Sequence, residues 1–143
     1  MESKIKNVFD GFKFDKKICL LLFWKNTTPG NSWYLKLTGQ PSLANREHER
    51  LQNYKKYCLR YGEVRPETWE KHDCFAGQVA KEMRAQLSTN PDQFLAQFGV
   101  PIFDDRELLG VIEIVTLTPK EDYNPDLRQL GRLLKAENKK WHT

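Results

Sequence analysis

An α+β fold, with a single antiparallel β-sheet and flanking helices, is what this sequence predicts, on three observations. Two apolar runs, 98–103 and 108–117, flank the polar tetrad Asp104, Asp105, Arg106 and Glu107, which has the length and chemistry of a hairpin loop. A second pair of runs, 18–24 and 33–38, encloses the turn-forming stretch KNTTPGNS, with Pro29 and Gly30 at its tip. Helical patterns at 74–87 and after Asn124 then supply covers for the strands. The run 108–117 carries the most information. Its even positions hold Leu108, Gly110, Ile112 and Ile114, and its odd positions Leu109, Val111, Glu113, Val115 and Leu117. Alternate residues of a strand point to opposite faces. Both faces are mostly apolar, so this strand is expected at the centre of its sheet.

Taken in order, the chain opens with Val8, Phe9, Phe12 and Phe14 among lysines and acids, the spacing of a short amphipathic helix ending near Gly11. The run 18–24 (ICLLLFW) reads as a buried strand. In 33–38 (WYLKLT), Trp33, Leu35 and Leu37 alternate with Tyr34, Lys36 and Thr38, giving it a half-buried partner. Gly39, Gln40, Pro41 and Ser42 close that hairpin and open a helical region. There Leu51, Tyr54, Cys58 and Tyr61 fall on one helix face, and Gly62 suits the left-handed position just past the end. Residues 63–72 read as a polar connector. The next helix is predicted over 74–87, capped by Asp73, with Phe75, Val79, Met83 and Leu87 recurring every four residues. Asn90, Pro91, Asp92 and Gln93 signal a third, short helix. After a loop at 118–123, Asn124, Pro125 and Asp126 repeat that signal. Leu127, Leu130, Leu134 and Trp141 mark the stripe of the final helix.

Size and composition narrow the class. The chain of 143 residues has the length of one domain, and residues 1–143 are read as a single one. With 39% hydrophobic and 29% charged residues, its composition is that of a soluble globular protein. The run 18–24 is too short to span a bilayer, and residues 1–17 lack the continuous apolar core of a secretory signal. Cys19, Cys58 and Cys74 are an odd, scattered set that suits a reducing compartment, so a cytoplasmic location without membrane contact is expected. A net charge of +4 permits nucleic-acid binding without requiring it.

Four constellations carry possible chemistry. His72 and Cys74 form one close pair, with His48 and Cys58 upstream; zinc sites show two such pairs, so no metal ligand is assigned. Arg46, Arg50, Lys55, Lys56 and Arg60 lie among Tyr54, Tyr57 and Tyr61, a combination able to hold phosphates and stack bases. The competing reading is a solvated helix face. Glu113 is an acid inside an apolar strand, where a carboxylate is costly unless partnered; it points to a ligand or partner contact, against a salt bridge to a surface Lys or Arg. Asp104, Asp105 and Glu107 sit where exposed hairpin-tip acids belong. Dinucleotide, Walker A, zinc-protease and nucleophile-elbow motifs are absent from the sequence.

The stretches FAGQVAKEM, FLAQFGVPIFDDRELLGVIEIVTLTP and YNPDLRQLGRLLKAEN together resemble the second half of a GAF domain, over residues 75–138. In that family a glycine-bearing helix precedes a V-P-[ILV] strand. An acidic turn, a G-V-[IL]-x-[IL] strand and a closing helix follow. The resemblance implies a GAF/PAS-like sheet with the terminal helices on one face and a ligand cavity under helices and loops on the other. It also implies a sensory or regulatory signalling role. The sequence lacks the family's cyclic-nucleotide signature, its bilin-binding Cys-His pair and its methionine-sulfoxide-reducing cysteine pattern, so no cofactor and no catalysis are carried over. The expectation is a non-catalytic module that binds a small molecule or a protein partner. Tyr34, Tyr61, Trp69, His72, Cys74, Phe98 and Glu113 are the candidate pocket residues, and Trp141 is the candidate contact for a partner or homodimer. The alternative is a nucleic-acid-associated protein using Arg46, Arg50, Lys55, Lys56 and Arg60, with Lys139 and Lys140. An enzyme would need a reactive thiol, for which Cys74 at a helix N-terminus is the candidate.

Overall fold

The computed structural model describes residues 2–30, 32–67, 74–90 and 95–141. In chain order the elements are α1 (Glu2–Gly11), β1 (Cys19–Asn26), β2 (Leu35–Lys36), β3 (Ser42–Ala44), α2 (Glu49–Tyr61), β4 (Glu63–Val64), α3 (Phe75–Glu82), β5 (Gln86–Asn90), β6 (Leu95–Asp104), β7 (Glu107–Thr116), α4 (Asn124–Ala136) and β8 (Lys140–Trp141). All the strands belong to one antiparallel sheet, in the order β4-β2-β1-β7-β6-β5. β3 lies beside β2 along β1, and β8 lies beyond β5 along β6. The fold is therefore α+β with a single sheet, as the sequence predicts.

Strict alternation in β1 divides the molecule. Leu20, Leu22 and Trp24 face a core closed by α2 and α3, through Leu51, Tyr54 and Cys58 of one helix and Phe75, Ala76 and Val79 of the other. Leu21 and Phe23 face a second core closed by α1 and α4, through Ile5, Val8 and Phe9 of one and Leu130 and Leu134 of the other. β7 lies between β1 and β6, pairing with both. Its Val111 and Val115 enter the first core, and Ile112 and Ile114 the second. The expected central strand, apolar on both faces, is thus observed. Each core side chain contributes about 1.5–3 kcal/mol by leaving water, which is why this double pattern fixes the register so firmly.

Five local expectations are corrected. The helix expected over 74–87 stops at Glu82, because Met83 turns left-handed (φ 58°) and the chain re-enters the sheet as β5. Met83 and Leu87 consequently lie 40% and 53% exposed instead of continuing a buried stripe. The opening of the helical region contains an extra strand, β3, paired to β1 with Leu21 opposite Leu43. Residues 63 and 64 of the expected connector form β4, paired to β2. Trp141 is not on the last helix; α4 ends at Ala136, and Trp141 falls in β8 opposite Ile102. A β-bulge next to Ile102 pairs Phe103 with Leu108 and leaves Leu109 as the extra residue, so Leu108 joins the face of Val111. The signal at 90–93 is split: Asn90 ends β5, and residues 91–94 lie outside the described residues, as does Asp73.

Candidate functional site

Glu113 lies in the middle of β7, with Leu22 of β1 on one side and Gly99 of β6 on the other. It is fully buried, on the face covered by α2 and α3. Its strand neighbours explain the site. Gly99 brings no side chain, and a Cβ there would meet Val79 Cγ2 at 2.5 Å and Phe75 Cε2 at 2.9 Å. The glycine thus lets α3 settle directly on the sheet beside the carboxylate. Two positions along β1 from Leu22, Trp24 shares this face, and its Nε1–H donates to Glu113 Oε1 at 2.6 Å. Tyr54, on the buried stripe of α2, donates its hydroxyl to Glu113 Oε2 at 2.6 Å. That same hydroxyl oxygen accepts from Gln97 Nε2 of β6 at 2.8 Å.

Burial drives the Glu113 carboxyl up to about 7, while the Tyr54 and Trp24 hydrogen bonds, which favour the ionised form, pull the other way. Tyr54 is held well above its ordinary value, first by burial and then by the Glu113 charge and the nearby Cys58 and Cys74 thiols. The phenol therefore stays protonated and remains a donor. What results is a carboxyl group, shielded from water, whose proton comes and goes near neutral pH.

The other predicted pocket residues do not converge here. Tyr34 lies beside β2, where its hydroxyl donates to Glu63 and accepts from Arg65 at 2.8 Å, with the Arg65 guanidinium 4.3 Å over its ring. Phe98 faces the opposite core and stacks on Tyr123, ring centroids 4.4 Å apart. Alternation places it there, one residue away from both Gln97 and Gly99. Cys74 is the N-cap residue of α3, buried beside the first core, and its thiol makes no capping hydrogen bond. Trp69 and His72 lie outside the described residues, as does the side chain of Tyr61. Sequence reasoning thus found Glu113 but missed its two donors, Trp24 and Tyr54, and Gln97, which donates to the Tyr54 hydroxyl. The available signal was Gln97 itself, a second polar residue in an apolar strand.

The basic residues are also dispersed. Arg46 precedes α2; Lys56 and Arg60 share its outer stripe, whereas Lys55 turns back to donate to Ser42 Oγ at 2.7 Å. His48 caps α2, its Nδ1 accepting from the Arg50 N–H at 3.2 Å. Among the described residues no group of three His, Cys, Asp or Glu side chains could hold a metal ion, and no helix is long and apolar enough to cross a membrane. A charged cluster absent from the sequence reading lies on the α1/α4 side. Lys120, almost buried, bridges Asp15 at 2.9 Å and Asp126 at 3.1 Å. Beside it, burial pushes the Cys19 thiol up to about 12, which keeps it unreactive.

Compared with protein-family models, curated proteins and solved structures, the chain finds no match.

Proposed function

We propose that this chain is a non-catalytic, GAF-like sensory or regulatory module of the cytoplasm that binds a small molecule or a protein partner. The observation that carries the reading is the hydrogen-bonded carboxyl at the centre of the face covered by α2 and α3. An apolar side chain at position 113 would serve stability better, since a buried carboxylate costs several kcal/mol to desolvate. The resemblance over residues 75–138 places a ligand cavity on this kind of face, opposite the terminal helices, and the observed sheet and helix layers are compatible with that arrangement. The matching ligand chemistry is a pair of N–H or O–H donors, which would replace Tyr54 and Trp24 on the two carboxylate oxygens. Entry requires α2 or α3 to move, so binding and a change of shape are coupled, as a regulatory module needs.

Thermal-shift titration with nucleobases, nucleotides, amidines and amino acids tests this. A ligand present at a hundred times its Kd stabilises the fold by about 2.7 kcal/mol. Glu113→Gln should abolish the shift, whereas Tyr54→Phe, which removes a donor that the ligand must displace, should keep or enlarge it. A panel that leaves the wild type unmoved would remove the small-molecule half of the reading and leave the protein partner.

A further inference from the structure

The two edges of the sheet are finished differently. β4 is two residues long, and the Tyr34, Glu63 and Arg65 network ties it off. β5 runs five residues, Gln86, Leu87, Ser88, Thr89 and Asn90, without a charge or a proline. Protein sheets usually guard an edge with charge, proline, a bulge or brevity, because its outer N–H and C=O groups are a template for another strand. β5 has none of these, and among the described residues no strand pairs with its outer side. Leu87, opposite Phe98 in register, is the most exposed large apolar side chain among the described residues, at 53%.

We propose that the β5 edge is the docking surface for a second copy of this chain, joined strand to strand and antiparallel about a two-fold axis at Ser88. A two-fold interface must be complementary to itself, and an antiparallel pairing of a strand with its own copy meets that condition. The register that overlaps all five residues sets Gln86 opposite Asn90 of the second copy. It sets Leu87 opposite Thr89 of the second copy, covering the exposed side chain. No like charges meet along the seam. A foreign peptide, in contrast, finds no charge on this strand to recognise. The joined sheet buries a small area, so the dimer is weak and depends on concentration. The surface shares no residue with the Glu113 cluster, although Ser88 pairs with Gln97 in register, so dimer loss with an intact ligand response, or the reverse, tells the two proposals apart.

Sedimentation of the full chain from about 1 μM to 1 mM, the range of a weak interface, reads the association directly. The mass should rise from 16.9 kDa towards twice that value. Leu87→Lys should move the midpoint at least tenfold higher while circular dichroism and Tm stay unchanged, since the position is exposed. Ser88→Cys should cross-link to its own copy under mild oxidation, because residues facing each other across an antiparallel pair have Cα atoms about 4.5–5.5 Å apart. A wild-type mass fixed at 16.9 kDa throughout overturns the proposal. So does a dimer that survives Leu87→Lys, or a Ser88→Cys chain that stays monomeric on a non-reducing gel.

Discussion

Glu113 is fully buried away from bulk solvent, and the folded chain therefore holds its proton more tightly than the unfolded chain does. Its carboxyl rises from 4.5 to about 7 on folding. For an acid shifted upward, the stabilising contribution is fully present below about 4.5 and is lost as pH climbs through 7. The whole swing is on the order of 3 kcal/mol. Urea unfolding at a series of pH values should show wild-type stability falling across this window, and Glu113→Gln should flatten the fall. Equal slopes in the two proteins would mean that the carboxyl does not titrate there. The acid was legible in the sequence because an ionisable residue breaks an otherwise apolar strand. Its partners were not: Trp24 reaches it, and Gln97 reaches the Tyr54 hydroxyl bonded to it, only once β1 and β6 have taken their places on either side of β7, and register across 89 residues leaves no local mark.

Among the elements, α3 shows where period alone misleads. Phe75, Val79, Met83 and Leu87 keep the helical spacing, yet the pairing of β5 with β6 takes over after Glu82. The expected sign of Met83→Gly separates the two readings. At a left-handed cap it stabilises by up to about 1 kcal/mol, whereas inside a helix it would cost about that much; chemical denaturation decides. Two glycines make a second test. A Cβ on Gly110 would collide with the Trp24 carbonyl oxygen, a backbone atom, while on Gly99 it would meet side chains of α3. Gly110→Ala should therefore cost more than Gly99→Ala, with overpacking of the latter kind costing about 1–3 kcal/mol. The reverse order would contradict the packing described. Pro101 also finds its explanation at this level. A proline argues against a paired strand interior, but β5 pairs with β6 only as far as Gly99 and β8 only from Ile102. Among the described residues position 101 has no register partner on that side, so a missing N–H there breaks no ladder bond. The hairpins were readable because their turn residues are local. The short strands β3, β4 and β8 were not, since two or three residues carry no period and exist only by virtue of the strand beside them.

Across the whole molecule, Lys120 ties the beginning of the chain to its end, holding Asp15 ahead of β1 and Asp126 in the first turn of α4. Lys120→Met would leave Asp126 nearly buried without its cation, at a cost of about 3 kcal/mol. Burial already holds the Asp126 carboxyl above its usual range. The loss should therefore be smaller at pH 4, where that group takes up a proton, than at pH 7. Paired unfolding curves at the two values check it, and a loss that is larger in acid would refute the account. The same long reach governs how the protein is made. β1 is apolar on both faces, and its long partner β7 follows it by about 90 residues. At typical rates of synthesis that is a wait of roughly 5 to 20 s. Through that interval LLLFW has only short hairpin partners, β2 and β3, on one side. A nascent chain stalled between β4 and β7 would thus be the most aggregation-prone species this sequence produces, and the one a chaperone would meet.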